Sequence, residues 1–119
     1  MQDFTKLKVW QKAHTFTINV YKITSSFPSK EKFGLTNQIR RASVSIESNL
    51  AEGSGRSSSK DFSRFLDIAQ GSAFEVKCQI LIARDLSYID NNKSELLMEK
   101  IDEVCRMITS LNQKLKTKN

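Results

Sequence analysis

One proline, four glycines and two cysteines in 119 residues are too few for a loop-rich β fold or a disulfide-stapled scaffold. Cys78 and Cys105 stand alone in helical stretches, with no second Cys or His at ligand spacing, and the only histidine, His14, is remote from both. Free, reduced thiols in a cytoplasmic protein are expected, with no metal site and no cofactor. Long apolar runs are missing too. The longest uninterrupted aliphatic stretch is Ile80 to Ala83, and the opening MQDFTKLKVWQKAH has no hydrophobic core of signal-peptide type. Neither secretion nor membrane spanning is expected.

What the chain does contain is apolar periodicity. With 39% hydrophobic and 27% charged residues it has the composition of one globular domain across residues 1–119, large enough to bury a core. Four segments space their apolar residues by alternating fours and threes, the pattern that keeps a stripe facing neighbouring helices. The first runs Val9, Ala13, Phe16, Val20, Ile23 and Phe27, and stops at Pro28, which biases the residue before it away from helix. A loop, Pro28 to Lys32, leads into the second: Leu35, Ile39, Ala42, Ile46 and Leu50, closed by Gly53 and Gly55. Ser58 and Asp61 stand at capping-box spacing ahead of the third, whose stripe is Phe62, Leu66, Ala69, Ala73, Val76, Ile80 and Ala83. After Asp90, Asn91 and Asn92 the fourth runs Leu97, Ile101, Val104, Ile108, Leu111 and Leu115, with Lys116 to Asn119 expected to fray. Short connections between long helices predict an all-α, antiparallel up-down-up-down four-helix bundle.

Two stripes exceed what a solitary bundle requires. Phe74, Cys78 and Leu81 line the third helix roughly 150° from its core stripe, and Trp10, Thr17 and Tyr21 line the first about 100° from its own. Trp10, Tyr21, Phe74, Cys78 and Leu81 are therefore expected at contacts between copies, against the plainer reading of a broad core flank. Mid-helix, Gly71, Ser72 and Ala73 suggest a neighbouring backbone packed closely.

Charge is divided unevenly. Residues 1–64 hold eleven Lys/Arg against five Asp/Glu, whereas residues 65–119 hold eight of each. Arg40, Arg41, Arg56, Lys60 and Arg64 gather in sequence around the turn into the third helix, as a surface for nucleic-acid backbone would. The competing reading makes Arg41 or Arg56 partners of Glu52 or Glu75, leaving Arg40 and Lys60 as the cleaner ligand contacts. Other chemistry fails. GSGRSSSK lacks phosphate-loop spacing and follows a helix rather than a strand. His14 has no nucleophile or carboxylate beside it in any recognisable motif, so no catalytic residue is assigned and the chain is expected not to be an enzyme.

The runs DFTKLKVWQKAH, FGLTNQIRRASVSIESNLAEGSGR, DFSRFLDIAQGSAFE and LIARDLSYI resemble, in order and spacing, the 23S rRNA-intervening-sequence proteins, over roughly residues 3–115. That family is similar in turn to the accessory variability determinants of diversity-generating retroelements, which partner a reverse transcriptase and bind nucleic acid. The resemblance implies a small bacterial four-helix bundle that assembles as a ring-like homopentamer, with a basic surface and an unsettled role. It matches Arg40 and Arg41 to the family's paired arginines, and Glu52, Gly53, Gly55 and Arg56 to its EGxGR turn. Glu47 departs from it, standing where many relatives carry a proline. Two functions are thus expected in competition: an oligomeric scaffold binding RNA or DNA backbone, and a protein-binding adaptor whose arginines are structural.

Overall fold

A computed structural model describes residues 3–117. They form four α-helices, α1 (Lys8–Thr24), α2 (Leu35–Ser54), α3 (Ser59–Asp85) and α4 (Asn91–Thr117), with single 3-10 turns at Phe4–Lys6 and Ser29–Glu31. No strand occurs among the described residues. Each helix packs on the next and α1 closes against α4, giving the expected antiparallel bundle, 47 Å long and 20–22 Å across.

The stripes read from the sequence are the core. Every predicted core position on α2 and α3 is buried, and Leu50, Leu66, Ala69, Ala73, Val76, Ile80 and Ile101 are fully so. Ile23 and Leu111 are half-buried against the cluster. The single large cluster spans all four helices, so most of the stabilisation comes from one continuous apolar interior.

Local chemistry sets the ends. α1 stops three residues before Phe27 because Thr24, Ser25 and Ser26 each turn a hydroxyl back to a carbonyl of its last turns, on Val20, Tyr21 and Ile23, offering the backbone an alternative to further helix. Phe27 still packs into the core. Ser58 caps α3 as expected, its hydroxyl accepting from Asp61 N at 3.1 Å. α3 ends in a Schellman turn: Ser87 N–H donates to Arg84 O at 3.0 Å and Tyr88 N–H to Ala83 O at 2.9 Å, with Ser87 at φ 62°, a left-handed position that usually belongs to glycine. Asp90 opens α4 by accepting from Lys93 N at 2.7 Å. Lys116 and Thr117 belong to α4 rather than to a frayed tail; residues 118–119 lie outside the described ones.

Two glycines differ from expectation. Gly53 lies inside α2 and is buried; a Cβ on it would stand 2.8 Å from Phe65 Cβ and 2.9 Å from Phe62 Cδ1, so α2 and α3 pack here with no room for a side chain. Gly71 faces open space, with nothing within 4 Å of a Cβ built there. Close packing at the small-residue triplet comes instead from Ala73, fully buried, and from Ser72, whose hydroxyl shares a 2.9 Å hydrogen bond with Ser45 of α2.

Candidate functional site

The paired arginines of α2 point to different places. Successive residues on a helix diverge by about 100°, and Arg40 falls on the flank that meets α1. Its Nε donates to Thr24 Oγ1 at 2.8 Å and its terminal nitrogen to Tyr21 O at 3.1 Å, while the guanidinium lies 4.6 Å above the Tyr21 ring. Arg40 is thus spent on the last carbonyls of α1, where a cation also suits the helix dipole. Arg41 is exposed and has no ion-pair partner among the described residues. The expected division is reversed: Arg41, not Arg40, is the arginine left for solvent or ligand.

At the α2–α3 turn, Asp61 gathers two arginines. Arg64 meets it at 2.8 Å, and Arg56 bridges more loosely between Glu52 and Asp61, 3.8 Å from each. Both guanidinium groups also lie over Phe65, at 4.6 and 4.7 Å from the ring centre, so two cations share one aromatic ring. Lys60 projects free of any ion pair among the described residues. Nor do the five candidate cations form one patch. Arg40 and Arg41 lie about 20 Å along α2 from Arg56, at 1.5 Å per residue.

The candidate contact residues also separate. Trp10 is half-buried, stacked 4.7 Å from the His14 ring and edge-on to Phe4, and Tyr21 lies beneath Arg40. Thr17, between them, is buried; its hydroxyl lies 3.0 Å from Ala13 O and 3.2 Å from Ser43 O of α2. Of this stripe of α1, Thr17 is buried and Trp10 half-buried, while Tyr21 keeps 40% of its surface exposed. In that of α3, Phe74 is 57% exposed and Leu81 37%, Cys78 is exposed, and Ile68 and Ile82 are exposed elsewhere on the same helix.

Two cross-helix contacts escaped sequence reading. His14 Nδ1 donates to Glu47 Oε2 at 2.9 Å, tying α1 to α2 at the position where proline was expected from relatives; the spacing Arg40, Ser43, Glu47, one flank of α2, was the available signal. Asn112 of α4 donates to Asp67 at 2.8 Å and accepts from Ser63. Elsewhere, Asp102 at 2.7 Å holds the Lys77 ammonium and raises its pKa, and burial pushes the Cys105 thiol up, leaving it a poor thiolate. No three potential ligand side chains gather for a metal among the described residues, and no described helix is long and apolar enough to cross a membrane.

A family model described as 23S rRNA-intervening sequence protein matches residues 5–110. The chain is also similar to a crystallised protein of unknown function from the S23 ribosomal protein family of Bacteroides thetaiotaomicron, at 24% identity and a TM-score of 0.79 over 87% of this chain and 97% of that one. At this identity the likeness speaks for the fold alone. No curated protein matches the chain.

Proposed function

Because the chain belongs to the 23S rRNA-intervening sequence protein family, we propose that it is a non-enzymatic scaffold that self-associates and holds nucleic-acid backbone on a basic surface without reading sequence. The observation that carries this reading is a net charge of +6 combined with exposed cations, Lys60 among them, that no ion pair engages among the described residues. Such cations attract phosphate through counterion release. The outward apolar stripe of α3 supports self-association, since Phe74, Cys78 and Leu81 are exposed at helical spacing, a surface that water solvates poorly. A ring would repeat each cation and convert weak contacts into avidity; five copies is the expectation that family resemblance supplies. The link to accessory variability determinants belongs to this proposal as well, with a reverse transcriptase as the class of protein partner.

A second reading, a protein-binding adaptor, has its own support. Arg40, Arg56 and Arg64 are engaged inside the protomer, as structural arginines would be. Fluorescence anisotropy with mixed-sequence RNA and DNA at low and physiological salt decides between them. The scaffold reading expects binding to both, falling steeply with salt; absence of binding at low salt favours the adaptor. Sedimentation of the wild type should show an oligomer, dissociated without loss of helicity by Phe74→Glu with Leu81→Glu. A monomer at micromolar concentration would remove the assembly.

A further inference from the structure

The linear sequence places the surplus positive charge on the first half of the chain, but the fold redistributes it. In an antiparallel bundle the start of α1, the end of α2, the start of α3 and the end of α4 share one end. Residues 3–12, 52–64 and 112–117, which build that end, hold eight Lys/Arg against three Asp/Glu. The opposite end, residues 20–38 and 78–95, holds five against four. Lys114 and Lys116, in the last turn of α4, are what the sequence order conceals: some fifty residues beyond the α2–α3 turn, they fold back beside it.

We infer that nucleic-acid backbone is held at this end of the bundle, by Lys60 and Arg56 of the α2–α3 turn, Lys114 and Lys116 of α4, and Lys6 and Lys8 at the start of α1. The inference rests on the nucleic-acid reading above and gives it a location. An open hollow of about 610 Å³ lies between the turn and α4, lined by Arg56, Ser57, Ser58, Ser59, Lys114 and Thr117, with Phe62, Leu111 and Leu115 beneath. A second, of about 490 Å³, shares Ser58 and is lined by Lys60, Asp61, Ser63, Arg64 and Asp67, so two carboxylates share it with the cations. Cations beside hydroxyl donors over two adjoining hollows suit successive phosphates of an extended strand, which take charge and hydrogen bonds from side chains of these types. Arg41, mid-bundle, lies outside the site, and Arg64, paired tightly with Asp61, shapes it more than it contacts ligand. The acidic groups at this end and lining the second hollow, Asp3, Glu52, Asp61 and Asp67, are partly engaged: Asp3 accepts from Thr5, Glu52 and Asp61 hold the arginines, and Asp67 accepts from Asn112.

The test compares Lys114→Ala with Lys116→Ala, as a double variant, against Lys22→Ala with Lys30→Ala at the far end, which removes the same charge. Anisotropy of a labelled mixed-sequence single strand is followed from low to physiological salt, with circular dichroism confirming helicity. The α4 pair should weaken low-salt binding about tenfold and reduce the salt slope by about 1.4, since each contact on a single strand contributes about 0.7. The far-end pair should leave the slope within experimental scatter of wild type. If wild type binds and both pairs weaken it equally, or only the far-end pair does, the location is wrong while nucleic-acid binding stands. If wild type binds neither RNA nor DNA at low salt, the functional reading falls and the location with it.

Discussion

The two ends of the bundle are held together by different physics. At the end where α1 meets α2 and α3 meets α4, Glu31 spans both connections: its carboxylate accepts from Leu35 N at 3.0 Å and from the Tyr88 hydroxyl at 2.8 Å, while the Phe27 and Tyr88 rings pack 5.4 Å apart and Arg40 closes α1. Here Glu31 and Arg40 are both used internally, while Lys22 and Lys30 stay exposed. At the end where α2 turns into α3, closure comes from steric fit at Gly53 and from cations layered over Phe65, and several lysines remain in water. One end is fastened and the other is furnished for contact. The difference shows how a protein with a uniform helical core still distributes internal fastening and surface charge unevenly along its axis.

The largest expected effect tests whether the ends share one core at all. Ile101→Asp puts an unpaired carboxylate at a fully buried position and should cost about 4 kcal/mol or more. Denaturant unfolding followed by circular dichroism and by Trp10 fluorescence should lose both signals together; a lasting difference between them would mean the ends fold separately.

Gly53→Ala addresses the contact end. The added Cβ meets Phe62 and Phe65 at under 3 Å, so the variant should lose about 1–3 kcal/mol from overpacking. Gly71→Ala, in the same kind of helix but facing open space, should instead gain up to about 1 kcal/mol from helix propensity. Chemical denaturation of the two proteins should give opposite signs, and equal signs would contradict the close approach of α2 and α3.

At the fastened end Ser87 holds a left-handed conformation that an L side chain resists. Ser87→Gly should stabilise the protein by about 1 kcal/mol, read as a raised midpoint. No gain would show that the turn carries no strain.

The smallest effect is a pH dependence. The Leu35 amide and then the Tyr88 hydroxyl hold Glu31 below its ordinary pKa of 4.5, and the same carboxylate, together with burial, holds Tyr88 above its ordinary 10.0. A lowered carboxylate pKa stabilises the fold above 4.5 and loses that contribution as pH falls through the lowered value. A raised phenol pKa stabilises it below 10.0 and loses that as pH rises through the raised value. The stability difference between wild type and Tyr88→Phe should therefore be flat at neutral pH and shrink at both extremes; a difference that changes most near pH 7 would assign the clasp to other groups.

Sequence pattern carried the architecture because core burial depends on spacing, and spacing is written in the chain. Leu35 to Leu50 and Phe62 to Ala83 were legible for that reason, as was the Ser58 cap. Helix ends were harder. α1 stops short of Phe27 through hydroxyl back-bonding by Thr24, Ser25 and Ser26, a local competition that periodicity does not register. Arg40 and Arg41 were assigned the wrong way round because their roles depend on which flank of α2 meets the end of α1, a relation between elements distant in sequence. Lys114 and Lys116 escaped notice for the same reason: their neighbours at the α2–α3 turn are spatial rather than sequential. Gly71 shows the converse, since nothing in the protomer explains a glycine there.

The up-down-up-down path of the chain gives each protomer a top and a bottom that differ in charge. Copies joined side by side through α3 around an axis parallel to the helices must all point the same way, because rotation about that axis never inverts a subunit. The assembly proposed above would be a two-sided disc, electropositive on one side and nearly neutral on the other. On that proposal a strand would approach it from one direction only, and the reverse side would stay open.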